Sequence, residues 1–577
     1  MFKDYSIFGL SLLILFEAFS PFRMEKNFTF QIQTEVLVVV TILSWIGITS
    51  LIFQERKSYI TLIDVVFFAY IAYLLLQLIF YPVDTYYTLT IISLSAAYFL
   101  FRHIKIQWFT GLLVLLPVLA VVQIIYGHNR FEYPWQTLSD NIGAFNNTGI
   151  FGEFVAMGLV AALGLLLSFR QLTARIAMSV LLMPITVQLI CSQSRAAWIS
   201  STVGIIVLLI PFFRRLTKRK AVAIISAILI ACILFSAKLY HFKKNSADGR
   251  LLIWAVSWNM LKEKPLVGFG PGGFRKTYLL RQGDYLKNHP DSPYIDLADD
   301  IVYPFNEFLK TGIEQGIIGL LLVFGILFLA FKNTPSPPAL RAVLAALVVF
   351  SFFSYPFDIV PFQVLGVLCL AGIASTQKSV VISGFTHVSV IPISTRNPLK
   401  ITAMCLFIML CGFISFVSCN YFVNVKKWNQ FIHSYPFGNE KQITEFQTLY
   451  PAFQCNDKFV FVYAKALFDA KRYDEAISLL NAAKELFPST QTLITLGDAY
   501  EKTGEYSKAL EVWKTASFVK PILFSPHYKM ATLYFTLKDY ERARQEANII
   551  LNKKIKIDNP EIDRMKQEAY EIMNYKL

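Results

Sequence analysis

Long apolar runs separated by short polar linkers fill the first three-quarters of the chain. A helix that crosses a bilayer needs about 20 mostly apolar residues, within a range of about 17–25. The pattern predicts about 12–13 such helices. The thirteen candidates are residues 5–22, 36–53, 60–80, 86–101, 106–126, 150–168, 174–191, 196–213, 221–240, 307–331, 339–355, 360–376 and 401–423. We therefore predict an all-α, polytopic membrane helix bundle for residues 1–425, with a large polar outer loop at 241–306 between spans 9 and 10.

A different period begins in the polar tail, residues 426–577. The positions that recur there at intervals of 33 or 34 residues are Tyr473, Tyr506 and Tyr540, and Ala476, Ala509 and Ala543. A period of about 34 residues with small and aromatic packing positions resembles the tetratricopeptide repeat, a pair of helices that buries its apolar face by stacking on neighbours. The tail is predicted to be a soluble α-solenoid of tetratricopeptide type. It is either a spacer that packs on the rest of the chain or a concave surface for a protein or glycan partner.

Composition excludes one soluble globule. The chain is 55% hydrophobic and 16% charged, whereas soluble domains show about 45–50% apolar and about 25% charged residues. The net charge of +15 is not accompanied by a basic helix or an RNA-binding aromatic motif, so no nucleic-acid partner is expected. Seven cysteines without a CxxC pair indicate small buried side chains and no disulfide framework.

Lysine and arginine are distributed unequally between alternate linkers. Seventeen basic residues fall at Lys3 and in the linkers 54–59, 102–105, 169–175, 214–220, 332–341 and 377–400, against four in the short linkers of the other face. Cytoplasmic loops carry the excess of positive charge. We therefore predict a cytoplasmic N-terminus with a retained first span. An odd number of spans then places both the outer loop and the tail outside the cytoplasm.

The outer loop combines an apolar stretch, a glycine cluster and separated charges. Leu251–Leu261 is too short to span a bilayer, and Trp254 and Trp258 favour the headgroup level, so a helix at the membrane interface is predicted. The four glycines between residues 268 and 273 lack the spacing of a dinucleotide-binding fingerprint and predict a tight turn. Residues 262–287 are net basic and residues 288–306 net acidic, with His289 at the junction.

Two arginines of the predicted outer face are candidate ligands for a diphosphate. Arg195 joins two apolar runs almost without a linker, and a cation near hydrocarbon costs about 2.5–3.5 kcal/mol on insertion scales. Either its side chain extends so that the guanidinium reaches the membrane interface, or the guanidinium contacts a charged partner or ligand. Arg250 opens the predicted interfacial helix on the same face. Two guanidinium forks suit a diphosphate because each can form paired hydrogen bonds with phosphate oxygens.

Four segments in this order resemble the O-antigen ligase/polymerase family of membrane glycosyltransferases. They are GAFNNTGIFGEFVAMGL at 143–159, SQSRAAW at 192–198, GRLLIWAVSWNMLKEKPLVGFGPGGF at 249–274 and FNEFLKTGIEQGIIGLLL at 305–322. The similarity covers about residues 30–376, and a tetratricopeptide tail accompanies some members of the family. The resemblance implies a multi-pass protein of the bacterial inner membrane that transfers a saccharide outside the cytoplasm, without a metal or another cofactor.

The resemblance also implies substrates and site residues. The donor would be a glycan on undecaprenyl diphosphate, and the acceptor a hydroxyl group of a glycan, lipid or protein. Arg195 and Arg250 would bind and neutralise the diphosphate, and the further substrate-binding candidates are Asn147, Asn306 and His289. Many relatives have a histidine before the asparagine of the last motif, where this chain has Phe305. Glu307 is the predicted replacement for that base.

Alternatives remain open at the level of residues and of function. His289, Asp299 and Asp300 are other candidate bases, and Glu314, on the same helix face as Glu307, is either part of the site or a structural contact with the loop. A transporter or flippase of lipid-linked glycans would also need many spans, although the sequence shows neither an inverted repeat nor matched broken spans. A membrane scaffold for glycan assembly, without catalysis, is the third class.

Overall fold

Almost all of the described chain is helical. The computed structural model describes residues 2–21, 30–53, 57–58, 60–130, 136–145, 147–213, 215, 217, 219–220, 222–224, 226–227, 244–332, 336–377, 388–389, 398–432, 438–556 and 559–575. Within these ranges the strands are two residues long, Lys57–Ser58 (β1) and Val388–Ser389 (β2), and they pair antiparallel.

Twelve of the described helices coincide with twelve of the predicted spans. They are α1 (Phe2–Phe19), α2 (Phe30–Phe53), α3 (Leu62–Phe80), α4 (Thr85–Arg102), α5 (Ile106–His128), α6 (Thr148–Ser168), α7 (Leu172–Cys191), α8 (Arg195–Phe213), α11 (Glu307–Phe331), α12 (Pro338–Ser351), α13 (Val360–Ala374) and α14 (Pro398–Phe431). Eight helices in the described part are long and apolar enough to cross a membrane, and three shorter apolar helices accompany them. Most of the predicted span 221–240 lies outside the described residues. The predicted helical, polytopic membrane protein is confirmed.

Helix α6 lies at the centre of this bundle and is almost entirely covered by other helices. Small residues let its neighbours approach closely. A Cβ atom on Gly158 would lie 2.8 Å from Cβ of Ala120 on α5, and one on Gly164 would lie 2.7 Å from Cβ of Ala339 on α12. Such contacts replace the hydrophobic driving force that is missing between helices in lipid.

The outer loop forms two helices above the bundle, α9 (Lys244–Glu263) and α10 (Gly273–Asn288). A helix is thus present there as α9, and other parts of the protein cover much of its apolar side; its place at the membrane interface stays a prediction. Leu252, Val256 and Met260 are at most 1% exposed, because α9 packs against α10 and α11. Trp254 donates to the carbonyl oxygen of Pro304 (3.0 Å), which ties α9 to the chain segment that leads into α11.

Beyond α14, the described residues of the tail form eight helices that pack on their neighbours in sequence. They are α15 (Glu440–Phe453), α16 (Asp457–Asp469), α17 (Tyr473–Leu486), α18 (Thr490–Lys502), α19 (Tyr506–Val519), α20 (Ser525–Thr536), α21 (Tyr540–Asn552) and α22 (Pro560–Asn574). The turns that precede α17, α19 and α21 each contain one residue with positive φ, respectively Lys471, Gly504 and Lys538. The turn therefore recurs with the predicted period, while its assignment to the tetratricopeptide type stays a prediction.

The boundary predicted between residues 425 and 426 falls inside the continuous helix α14. Beyond it, the tail shares a hydrophobic core with the outer loop. Phe274 and Tyr278 of α10 are buried in one cluster with Leu493, Ala516 and Val519 of the tail. The tail is consequently packed on the loop rather than extended away from it.

Polar contacts reinforce this packing. Asp300 accepts hydrogen bonds from the amide (2.7 Å) and the hydroxyl (2.6 Å) of Thr490 at the start of α18. Gln282 of α10 donates to the carbonyl oxygen of Val519 (2.7 Å), and Arg275 forms an ion pair with Asp457 (2.7 Å). In the described residues, four helices, α11 to α14, lie between the loop and the tail. Four crossings would return the chain to the side of the membrane on which the loop lies, which agrees with the contact between the loop and the tail. Which side of the membrane that is stays a prediction.

Candidate active site

Arg195 is the first residue of α8 and follows a tight turn after α7. Gln193 in that turn has φ +50°, a left-handed conformation that is uncommon for residues other than glycine. The indole of Trp198 donates to the carbonyl oxygen of Leu189 (2.7 Å), which fastens the first turn of α8 to the end of α7. The turn therefore presents the Arg195 side chain at the end of the bundle.

Arg250, in the first half of α9, lies close enough to Arg195 for the two positive charges to repel each other. Burial, followed by the charge of Arg195, lowers the pKa of the Arg250 guanidinium to about 10. Two like charges brought together in a partly buried place cost free energy. A bound anion would compensate that cost, and a diphosphate offers oxygens to both guanidinium groups.

An aromatic group lies directly beneath Arg250. The guanidinium carbon is 5.3 Å from the ring centre of Phe305, within the range of a cation–π contact. Phe305 in turn packs edge-on against Tyr355, at 5.6 Å between ring centres, and Tyr355 stacks on Tyr303 at 4.2 Å. Phe305 has φ +52°, which is rare for a bulky residue and is typical of functional sites when the surroundings enforce it. Phe305, at the position where the resemblance implied a histidine, thus packs beneath the arginine.

Glu307 begins α11 two residues beyond Phe305. Asn306 caps this helix through its side-chain oxygen, which accepts from the amide of Leu309 (3.0 Å). The Glu307 side chain is buried, and its Oε1 accepts from the backbone amide of Phe357 (2.7 Å). One turn further along α11, Lys310 forms an ion pair with Asp358. The start of α11 therefore combines two carboxylates with one lysine.

These groups line a cavity of about 320 Å³ between α3, α4, α11, α12 and α13. Tyr70 and Tyr87 face Glu307, Lys310 and Asp358 across its polar end. The rest of its wall consists of apolar side chains of the membrane helices, including Ile71, Leu94, Val323, Ile326, Leu344 and Val367. A cavity with one polar end and a long apolar wall suits a ligand that has both parts.

Glu314 is engaged by the outer loop. Its carboxylate accepts hydrogen bonds from the backbone amides of Gly272 and Phe274, at the N-terminus of α10, where a negative charge is favourable. The alternative interpretation of Glu314 as a structural contact with the loop agrees with this arrangement. The glycine cluster forms the predicted turn, with φ +71° at Gly268 and +81° at Gly270.

Helix α11 is broken where this turn reaches it. Gly316 has φ +66° and ψ −165°, which interrupts the helical hydrogen bonds. The loop replaces them, because the amide of Ile317 donates to the carbonyl oxygen of Pro265 (2.8 Å) and that of Phe269 donates to Ile313 (2.8 Å). Tyr73 of α3 donates to the carbonyl oxygen of Gln315 (2.7 Å). Freed backbone groups inside a membrane protein must find such partners, so loop and helix hold each other in register.

We predict that Gly316→Ala destabilises the protein by about 1–3 kcal/mol, the usual cost of a backbone region that only glycine occupies readily. The added Cβ would also lie 2.1 Å from the carbonyl oxygen of Leu266. Thermal unfolding of the purified protein in detergent would measure the effect. Gly325→Ala, on the same helix, is the matched control, since its Cβ would meet Val66 at an ordinary 3.6 Å. Equal melting temperatures for the two variants would contradict the proposed constraint.

The remaining predicted residues lie in other settings. Asn147 is exposed and caps α6 through its side chain, which accepts from the amide of Gly149 (2.6 Å). His289 follows the C-terminal end of α10, where its ring stacks on Tyr285 at 4.4 Å. Burial raises the pKa of Asp299, but the hydrogen bond and charge of Lys520 outweigh burial, so the pKa lies below its ordinary value.

Several groups at the site were missed by sequence reasoning, among them Lys310, Asp358 and Tyr355. Lys310 could have been found, because it lies three residues after Glu307 on the same helix and is a rare cation at the start of a span. Asp358 also carried a signal, as a carboxylate between two apolar runs. Tyr355 carried none, because aromatic residues are frequent throughout this chain. Among the residues that the structure describes, no group of three or more His, Cys, Asp or Glu side chains is placed to share a metal ion.

Fold and site together define a multi-pass helical membrane protein with two adjoining arginines and a cavity lined by acidic groups. Residues 177–324 match the family model described as O-antigen ligase. The matched segment contains Arg195, Arg250 and Glu307, and it confirms the family resemblance seen in the sequence. It supports a glycan-processing membrane enzyme of the O-antigen ligase type. No curated protein matches the chain.

Proposed function

We propose that the protein is a glycan polymerase or ligase that acts outside the cytoplasm of a bacterium, at the inner membrane. It transfers a saccharide from undecaprenyl diphosphate to an acceptor hydroxyl. The observation that carries the proposal is the approach of Arg195 to Arg250, whose charge is partly buried. Two guanidinium groups that repel each other in the free protein are suited to a ligand with two adjoining negative charges.

In the proposed reaction, the acceptor oxygen attacks the anomeric carbon of the donor saccharide. The bond from that carbon to the diphosphate breaks, and Arg195 and Arg250 stabilise the negative charge that develops on the leaving diphosphate. Glu307 accepts the proton of the acceptor hydroxyl. Its buried carboxylate lines the cavity beside Lys310 and Asp358, where an acceptor can enter with little competing water.

The family match and the cavity support this function over a scaffold without catalysis. The matched residues 177–324 contain both arginines and the start of α11. The carboxylates and the lysine at the polar end of the cavity are groups that enzymes use for acid–base chemistry. A scaffold would not require buried ionisable groups beside an internal cavity.

The decisive experiment is transfer by the purified full-length protein, in detergent, from an undecaprenyl-diphosphate-linked glycan to an acceptor. Release of free undecaprenyl diphosphate together with a longer or newly attached glycan is expected. A transporter or scaffold would give neither product, because no membrane separates two compartments in detergent. The length of the product distinguishes the two reactions: a polymerase joins repeat units on the carrier, whereas a ligase moves a complete chain to another acceptor.

A further inference from the structure

A second cavity, of about 360 Å³, lies at the seam between the outer loop and the tail. The end of α10 contributes Lys287 to it, and the short helical turn at Ile295–Leu297 contributes Asp296. The tail contributes Phe518 and the pair Lys553 and Lys554. None of these residues lines the cavity around Glu307, so the two cavities are separate.

The seam cavity is positively charged. Lys287, Lys553 and Lys554 line it, whereas Asp296 is its one lining carboxylate. His527 also lines it, and its Nδ1 is 2.7 Å from Glu546. Three ammonium groups around one cavity attract an anion from solution.

Lys553 is the most buried of the three cations. Its ammonium donates to the carbonyl oxygen of Leu523 (2.8 Å) and lies 5.6 Å from the ring centre of Phe524. Burial lowers its pKa to about 8, although the charge of Glu546 opposes this shift. A negatively charged ligand would offset the cost of holding this ammonium away from water.

The wall of the cavity adds an apolar surface. Phe518, Pro521 and Ile522 line it, and the ammonium of Lys287 lies 5.7 Å from the ring centre of Phe518. Apolar walls with a few fixed charges are typical of sites for small organic ligands. The apolar face of a sugar ring can pack on such a wall while an acidic substituent meets the lysines.

We propose that the seam cavity binds an acidic saccharide unit, one that carries a carboxylate or phosphate group, of the glycan handled by the protein. The choice of a saccharide rests on the proposed function, whereas the positive charge and the apolar wall of the cavity are observed independently of it. Leu286 of the cavity lies thirteen residues along α10 from Gly273, or about 20 Å at the helical rise of 1.5 Å per residue. The site would thus hold a part of the glycan remote from the glycine turn that contacts Glu314.

Binding to the purified full-length protein in detergent, measured without turnover, tests this proposal. The probes are an oligomer of galacturonic acid, a neutral maltooligosaccharide of the same length, inorganic phosphate and poly-glutamate. The galacturonic oligomer is expected to bind most tightly at low ionic strength. The double variant Lys287→Gln/Lys554→Gln is expected to bind it about tenfold more weakly, since it removes two of the three ammonium groups that line the cavity and exposed ion pairs are individually weak.

The matched control is Lys502→Gln/Lys538→Gln, which removes two exposed lysines of the tail that do not line the cavity and should leave binding unchanged. Lys553→Gln should weaken binding as well. Equal binding of the acidic and neutral oligosaccharides, or an equal loss in both double variants, would overturn the proposal. Tighter binding of phosphate or poly-glutamate than of the acidic oligosaccharide would overturn it too. A failure of transfer leaves this binding result unaffected, so the two proposals can fail separately.

Discussion

Arg250→Ala is expected to lower the rate of saccharide transfer by about 10²–10³-fold, the usual effect of removing one group that stabilises a developing negative charge. The loss arises because Arg195 alone would then face the leaving diphosphate. Arg250→Lys keeps the charge but not the planar fork, so an intermediate rate is expected. Initial rates with purified protein at equal concentration measure the effect.

The control for this variant is Arg281→Ala. Arg281 is an exposed arginine of α10 that pairs with Glu263 (2.7 Å), so its loss should leave the rate nearly unchanged. Arg195→Ala should reduce the rate as Arg250→Ala does. Wild-type rates in both Arg195→Ala and Arg250→Ala, at normal protein abundance, would refute the assignment of a diphosphate to this pair.

Glu307→Gln should reduce transfer by about 10²–10⁴-fold, the usual contribution of a general base. Glutamine has the same shape and can still accept the hydrogen bond from Phe357, so the fold around α11 should persist. Only the capacity to take a proton is lost. The measurement is again the initial rate, together with the melting temperature as a test of folding.

Glu314→Gln provides the comparison, since it lies seven residues further along the same helix. Its amide oxygen can still accept from Gly272 and Phe274, as the carboxylate does, and a much smaller loss of rate is expected. The reverse order, with a severe loss in Glu314→Gln and a mild one in Glu307→Gln, would exchange the roles of the two carboxylates.

The spans were predictable because the thickness of hydrocarbon sets a length that any apolar helix must meet. Within the site, the approach of Arg195 to Arg250 followed from their place on one predicted face and from the motifs around them. In both cases the pattern of residues and the order of the motifs along the chain were sufficient for the prediction. The identity of the base was not settled in this way, because a proton acceptor is selected by its distances to a substrate.

The break at Gly316 could not be predicted, because an isolated glycine is common in membrane helices that remain unbroken. The contact of Asp300 with Thr490 joins residues 190 positions apart, and no pattern within either segment indicates the other. The same holds for the burial of α10 by the tail. An apolar helix face predicts that something covers it, but lipid and protein leave the same pattern in the sequence.

The common core of Tyr278, Ala516 and Val519 has a consequence for biogenesis. The ribosome adds about 5–20 residues per second, so tens of seconds separate the synthesis of α10 from that of α19. During this interval the first helices are already inserted, while α9 and α10 lack their apolar cover and are open to proteases. A nascent chain that stops before the tail would leave the apolar side of α10 uncovered. Docking of the C-terminal quarter on the outer loop is therefore the step that completes this core.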